Sequence, residues 1–302
     1  MTSPVITLFM PVALGLVMFG LGLTLTVADF KRVVKYPKAT AVALACQLVV
    51  LPVICFGLVF AFDLHGALAV GMMLLVAAPG GITANLLSHL AGGDVALNIT
   101  LTAINSLLSA VTLPVVVGLA TVRFMGDEAS IGLQFGKFVQ VLAIVLIPVA
   151  IGLWARHRFS AWADRMEQPV KIGSGAVLAL AIVAALAQSF DVVTANMGRL
   201  GGITLLLSMS SLAVGYFVPR LFRVSRRQAI ASAMEIGIHN CTLAIIVAVS
   251  VIGNEVMAVP AAVYAVVMWV PAGLGAYLLS RRAEPTPQPA TVQELAPGLA
   301  ES

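Results

Sequence analysis

The sequence predicts an all-α, polytopic membrane protein. Of its 302 residues, 60% are hydrophobic and only 10% are charged, and the mean hydropathy is +1.05; these values exclude an ordinary soluble domain. The apolar residues occur in runs of about 20 or more, the length that crosses the hydrocarbon core of a bilayer. The net charge of +4 does not indicate nucleic-acid binding, because the basic residues lie between the apolar runs and no surface combines them with aromatic side chains.

Nine spans follow from the positions of these runs. We place them at 5–28, 39–62, 67–90, 95–122, 132–155, 173–191, 200–221, 229–251 and 258–280. Residues 281–302 are rich in Pro, Ala and Glu and are expected to form a disordered tail. The three cysteines match neither a disulfide framework nor a zinc pattern, so they are expected to pack as small residues inside the spans: Cys46, Cys55 and Cys241.

The basic residues are distributed unevenly between the two sides of the predicted membrane domain. Fourteen of the 17 Lys and Arg residues fall in the connections after spans one, five, seven and nine. The opposite side holds only Arg123, Lys137 and Arg199. Positive-inside asymmetry therefore places the N-terminus outside and the C-terminal tail in the cytoplasm. We expect the protein to lie in the plasma (inner) membrane.

Glu235 is the one acidic residue deep inside an apolar segment of the sequence. A carboxylate at that depth is costly unless a cation, a proton or hydrogen bonds compensate it, so its position predicts a functional site. The alternative is a structural carboxylate that is hydrogen-bonded to a neighbouring helix. His239 and Asn240 follow in the same span.

The third and eighth spans are each expected to be interrupted. Pro79 lacks a backbone donor and is followed by Gly80 and Gly81, so a continuous helix is not expected there. The eighth span carries the sequence EIGIHN at 235–240. Two interruptions about half a chain apart are typical of a transporter whose binding site lies where two halves meet. Kinked helices that pack closely through glycine are the alternative.

Other polar residues within the spans could converge on Glu235. The fourth span carries four whose spacing places them on one helix face: Asn98, Thr102, Asn105 and Ser109. Such residues often only join helices. Two of them, Asn98 and Thr102, nevertheless belong to a set of oxygen ligands of the kind that sodium prefers. The rest of that set is Glu235, Asn85, Gln47 and the carbonyls around Ile236 and Ile238.

With these motifs, the sequence resembles the bile acid:sodium symporter family over nearly its whole length. The most specific segments are PGG at 79–81 followed by Asn85, GDVALNITLT at 93–102, and E-x-G-x-[QH]-N at 235–240. The resemblance implies two broken helices that cross beside sodium sites, and a substrate crevice between a core and a panel domain. Because members often have ten spans in two inverted repeats, this chain would be a nine-span variant with four plus five helices. The core would comprise residues 39–122 and 200–257, and the panel 1–38, 123–199 and 258–280.

The resemblance also implies two sodium sites. Carried over by position, the first would use Asn85, Asn98, Thr102 and Glu235. Ala84 stands where a serine ligand is usual, so one oxygen is missing. The second would use Gln47, Glu235, the carbonyls of Ile236 and Ile238, and His239 in place of a glutamine. Because an imidazole nitrogen is a poor ligand for a hard cation, we expect either that this second site is weakened or lost or that the protein couples partly to protons through His239. The alternative role of His239 is that of a neutral histidine that is hydrogen-bonded inside the crossing.

The function predicted from these features is secondary transport: import of an organic anion with sodium, by alternating access. The substrate would be bile-acid-like or a small carboxylate such as pantoate, bound near half-helix amides by Thr83, Asn85, His239 and Asn240. A proton-coupled organic-acid carrier that uses Glu235 or His239 is the alternative. Motifs of an intramembrane enzyme or a channel filter do not occur in the sequence. We expect no cofactor other than Na⁺ as the coupling ion, and the sequence does not indicate an oligomeric state.

Overall fold

The computed structural model describes residues 15–126, 135–188 and 190–281. Apart from one isolated antiparallel bridge, the regular structure of these residues is entirely helical. We number the twelve helical segments in chain order: α1 Gly15–Thr24, α2 Val27–Lys35, α3 Pro37–Ala61, α4 Gly66–Ala77, α5 Ile82–Leu90, α6 Val95–Met125, α7 Phe135–Arg158, α8 Ser160–Gln188, α9 Phe190–Leu221, α10 Arg226–Gly237, α11 Cys241–Ile252 and α12 Val256–Ser280.

Length and composition identify the described helices that can cross a membrane unaided. These are α3, α6, α9 and α12, while α1, α4 and α11 are shorter apolar helices. The third predicted span consists of α4 and α5, and the eighth consists of α10 and α11. The predicted interruption of these two spans is therefore confirmed.

Several predicted boundaries need correction. The sixth and seventh spans were placed at 173–191 and 200–221, but α8 already begins at Ser160 and α9 at Phe190. Helices of 29 and 32 residues are about 44 and 48 Å long at 1.5 Å per residue, whereas the apolar core of a bilayer is about 30 Å thick. A search for apolar runs finds only the part of such a helix that fits that core, so it misses the polar ends.

The first predicted span also differs from the structure. It was drawn as 5–28, but α1 ends at Thr24 and a new helix begins at Val27. Thr24 donates its hydroxyl hydrogen to the Leu21 carbonyl, 2.8 Å away, at this end. Residues 1–14 and the predicted disordered tail beyond Arg281 lie outside the described residues.

Glycines allow the helices to approach closely, as is usual in membrane proteins. A methyl group on Gly22 of α1 would overlap the backbone of α7 at Val149, and one on Gly215 of α9 would overlap the backbone of α10 at Ala233. Large apolar side chains such as Leu119 are exposed on the outside of the bundle. The polar side chains of Asn98, Thr102, Asn105 and Glu235 are buried inside it.

Candidate functional site

The two interruptions cross each other and are joined through their backbones. The Gly81 amide donates to the Ile238 carbonyl at 2.9 Å, and the Asn240 amide donates to the Pro79 carbonyl at 2.8 Å. These two bonds make the antiparallel bridge between Gly80 and His239. Each break thus supplies partners for backbone groups that the other would leave unpaired in an apolar interior.

Glycine at position 80 is required by the close approach of Glu235. A β-carbon added at Gly80 would overlap the carboxylate group of Glu235. The neighbouring Gly81 has ordinary space around it, with Thr83 Oγ1 at 3.5 Å from an added β-carbon. The PGG motif therefore does two things: Pro79 helps to end α4, and Gly80 admits the carboxylate to the crossing.

Glu235 lies in the last turn of α10 and is fully buried. Its Oε2 accepts hydrogen bonds from Thr102 Oγ1 at 2.5 Å and from Asn98 Nδ2 at 3.4 Å. Its Oε1 accepts one from Asn105 Nδ2 at 3.3 Å. The polar face predicted on the fourth span therefore does converge on Glu235, and three of its four residues contact the carboxylate.

Several side-chain amides of the predicted site have oxygen atoms without partners. Four buried side-chain oxygens accept no hydrogen bond within the described part of the chain: Gln47 Oε1, Asn85 Oδ1, Asn98 Oδ1 and Asn105 Oδ1. An unpaired buried amide oxygen costs about 1–3 kcal/mol, so such atoms need an explanation. Asn98 and Asn105 also contact the Glu235 carboxylate, and oxygen acceptors beside a buried carboxylate form a ligand set that suits a small hard cation.

Asn85 is placed differently from the other three residues predicted for the first sodium site. It lies on α5 and makes no hydrogen bond to Glu235 among the described residues, whereas Asn98 and Thr102 do. The buried Ala84 has no side-chain oxygen. The side chains in hydrogen-bond contact with the carboxylate therefore come from α6.

Gln47 and His239 meet at the first break. Gln47 lies in a π-helical turn at Cys46–Val50, just before the Pro52 that restarts the α-helical pattern of α3, and such turns occur often at functional sites. Its Nε2 donates to the carbonyls of Val76 and Ala78, each at 3.2 Å.

His239 approaches the same carbonyl: its Nδ1 lies 3.3 Å from the Ala78 oxygen. Because a carbonyl only accepts, Nδ1 carries the hydrogen in this contact, and the buried Nε2 has no partner in the described residues. The Tyr264 ring packs against the imidazole with ring centres 5.4 Å apart, and its hydroxyl donates to the Gly237 carbonyl at 3.0 Å.

A cavity of about 660 Å³ lies beside the crossing. All four residues predicted to bind substrate line it: Thr83, Asn85, His239 and Asn240. Thr102 also lines it, so the cavity extends to the surroundings of Glu235. Its lining also includes Thr24 of α1, Glu167 of α8 and Trp269 of α12.

Comparison with known proteins agrees with this architecture. The sequence pattern described as the Sodium Bile acid symporter family matches residues 11–196, which is more than half of the chain. The chain belongs to this family. It is therefore a multi-pass membrane transporter of a sodium-symporter family and not an enzyme, and the family implies sodium and an organic solute as its partners.

Individual relatives have low sequence identity to this chain, but the similarity extends over most of its length. The chain is 28% identical over 262 residues to the uncharacterized sodium-dependent transporter YocS of Bacillus subtilis, covering 86% of this chain and 79% of that protein. It is 26% identical to the probable chloroplastic sodium/metabolite cotransporter BASS2 of rice, covering 85% of this chain and 60% of that one. It is 27% identical to the human ileal sodium/bile acid cotransporter, covering 80% and 69%.

Sequence reasoning left some residues of this site unassigned. Helical spacing places Asn105 on the polar face, and this position is the signal for its contact with Glu235, but the predicted sodium sites do not include it. Thr24, Glu167 and Trp269 come from three segments far apart in sequence, and no local pattern marks them. Only the packing of α1, α8 and α12 brings them to the cavity.

Proposed function

We propose that this protein imports an organic anion together with sodium by alternating access. It would lie in the plasma membrane with its N-terminus outside and its C-terminus in the cytoplasm. The observation that carries the proposal is the fully buried Glu235 at the crossing, surrounded by amide and hydroxyl groups and next to a cavity. A buried carboxylate that is compensated by a cation couples the charge of that cation to the conformation of the crossing.

The first sodium site comprises Glu235, Thr102, Asn98 and Asn85. Glu235 supplies the negative charge, and the other three supply a hydroxyl and two amide oxygens. The unpaired Oδ1 atoms of Asn85 and Asn98 support this assignment, because a bound sodium would satisfy oxygens that otherwise have no partner.

The second sodium site is weak in this protein. Of its proposed ligands, Gln47 offers an unpaired oxygen, and the Ile236 and Ile238 carbonyls lie beside the second break. The Ile238 carbonyl, however, already accepts the Gly81 amide, and the Ala78 carbonyl faces Gln47 Nε2 and His239 Nδ1. His239 offers nitrogen instead of oxygen to a hard cation, so we propose that coupling depends mainly on the first site.

The organic anion binds in the cavity, with its carboxylate near the starts of α5 and α11. The first turns of these two half-helices present backbone amides, and Thr83, Asn85 and Asn240 line the cavity there together with His239. A volume of about 660 Å³ lies within the usual range of small-molecule sites. We favour a small carboxylate such as pantoate as the cargo over a bile-acid-like one.

Alternating access would move a core of residues 39–122 and 200–257 against a panel of residues 1–38, 123–199 and 258–280. In this division the chain is a four-plus-five inverted repeat, and each repeat contributes one broken helix. The cavity supports the division because its walls come from both sets of residues, with Thr83 and Asn240 on the core side and Thr24, Glu167 and Trp269 on the panel side.

Uptake by proteoliposomes tests this function. We expect accumulation of a radiolabelled small carboxylate with an inward sodium gradient, and its loss in Glu235→Gln. Asp191→Asn is the matched control, because it neutralises an exposed carboxylate in the first turn of α9. Accumulation by the unaltered protein that is equal with and without sodium would refute sodium coupling. If such uptake followed a pH gradient and collapsed with a protonophore, it would favour the proton-coupled alternative through Glu235 or His239.

A further inference from the structure

Asn105 contacts the Glu235 carboxylate on the side that the other residues of the polar face leave free. Thr102 and Asn98 both donate to Oε2, whereas Asn105 is the described side chain that donates to Oε1. Asn105 is 2% exposed, and it lies about one turn beyond Thr102 on α6. Its amide is therefore buried inside the protein and is not exposed on the surface.

The bonding of Asn105 differs from that of Asn98 in one respect. Asn98 also donates to the Ala231 carbonyl at 2.9 Å, which fixes the orientation of its amide. Within the described part of the chain, the Asn105 side chain makes one hydrogen bond, which goes to Glu235. Its Oδ1 is buried without a partner there. The Asn105 amide can therefore turn without breaking any other bond.

An asparagine that only joins two helices would be expected to use both halves of its amide. Here the NH₂ group donates to a carboxylate, and the amide oxygen accepts no hydrogen bond from the described residues. Rotation of the amide by about 180° exchanges its NH₂ group and its oxygen, and this terminal torsion is soft. The same side chain can thus present a donor to a bare carboxylate and an oxygen to a cation bound beside it.

We propose that Asn105 is a further sodium ligand whose amide turns on ion binding. Without sodium, its NH₂ group donates to Glu235 Oε1; with sodium, its Oδ1 coordinates the ion. The carboxylate then has a partner in both states, and the ligand shell gains an oxygen that Ala84 does not supply. This inference rests on the proposed function, because it takes sodium as the ion held at Glu235.

Sodium titrations of thermal unfolding test the inference in the purified, full-length protein, with choline replacing sodium to keep the ionic strength constant. The variants are Asn105→Ala, which removes both amide functions, and Asn105→Asp, which keeps an oxygen but cannot donate. Ser109→Ala is the matched control. Ser109 is buried about one turn further along the same face, and its hydroxyl donates to the Ser106 carbonyl of its own helix at 2.8 Å.

The two substitutions should have different effects. Asn105→Ala should raise the sodium concentration at half-maximal stabilisation by about tenfold or more, since contacts with charged groups are the stronger ones. Asn105→Asp places a second carboxylate beside Glu235, so its melting temperature without sodium should fall and its sodium-induced rise should exceed that of the unaltered protein. Ser109→Ala should titrate like the unaltered protein. Asn105→Ser, which retains a shorter polar side chain, replaces Asn105→Ala should the latter not fold, with the same direction of change.

The failure of this inference is distinguishable from the failure of the proposed function. If sodium stabilises the unaltered protein but not Glu235→Gln, while the Asn105 variants keep an unchanged sodium midpoint, the inference is overturned and sodium coupling stands. If Asn105→Ala and Asn105→Asp lower the melting temperature equally at every sodium concentration, Asn105 has only a structural role. If the unaltered protein does not respond to sodium at all, the proposed function itself is wrong.

Discussion

Gly80→Ala gives the most direct perturbation of the carboxylate at the crossing. The added methyl group would overlap the Glu235 carboxylate, and the bridge to His239 fixes the backbone on both sides. The Glu235 side chain must then move away from its donors, or the crossing must open. Overpacking of this kind costs about 1–3 kcal/mol, and each lost hydrogen bond to a charged group costs about 1.5–3 kcal/mol. A contact of similar strength between the displaced carboxylate and sodium, if lost, corresponds to about a tenfold or larger fall in sodium affinity.

The adjacent glycine provides the control for this prediction. Gly81→Ala adds the same methyl group one residue away, where the nearest atom is Thr83 Oγ1 at 3.5 Å, and the φ angle of −93° is open to alanine. Sodium-dependent thermal stabilisation should therefore be lost or greatly weakened in Gly80→Ala and retained in Gly81→Ala. Equal sodium responses in the two variants would refute the placement of the carboxylate against Gly80.

Three further predictions address the crossing and the packing around it. Tyr264→Phe leaves the Gly237 carbonyl without its hydroxyl donor, so the melting temperature should fall by the equivalent of about 1–3 kcal/mol; the exposed Tyr277→Phe is the control, and equal melting temperatures would contradict this. His239→Gln replaces a nitrogen by an amide oxygen, so the Hill slope of sodium-dependent uptake should rise towards two; an unchanged slope would argue against a weakened second site. Gly215→Ala forces a methyl group into the backbone of α10, so the melting temperature should fall by the equivalent of about 1–3 kcal/mol. A melting temperature within error of that of the unaltered protein would contradict this contact.

Much of the site can be predicted from the sequence because its residues are of types that are rare in apolar, helical segments. A carboxylate such as Glu235 stands out in an apolar segment, and PGG stands out in a helix, so both can be recognised without a structure. The face formed by Asn98, Thr102 and Asn105 follows from helical spacing alone. Each of these signals is local, and each depends on a residue type that is costly in its position.

The remaining features depend on contacts between distant segments. The sequence cannot show which oxygen of Glu235 each donor approaches, because that depends on the rotation of α6 against α10. It also cannot show that the cavity includes Glu167, because this residue precedes the apolar run at 173–191 although it lies within α8, which begins at Ser160. Polar helix ends that extend beyond an apolar window are indistinguishable from loops by hydropathy.

The hydrogen bonds made by backbone carbonyls at the crossing also limit the number of ions that it can hold. A broken helix frees carbonyls that could serve as cation ligands, but here several of them face protein donors. Ile238 accepts the Gly81 amide, Gly237 accepts the Tyr264 hydroxyl, and Ala78 faces both the Gln47 amide and the His239 ring. The amide oxygens beside Glu235, by contrast, are available to a cation, because those of Asn98 and Asn105 are buried and accept no hydrogen bond from the described residues. The balance of available acceptors therefore favours one cation beside the carboxylate over a second beside the histidine.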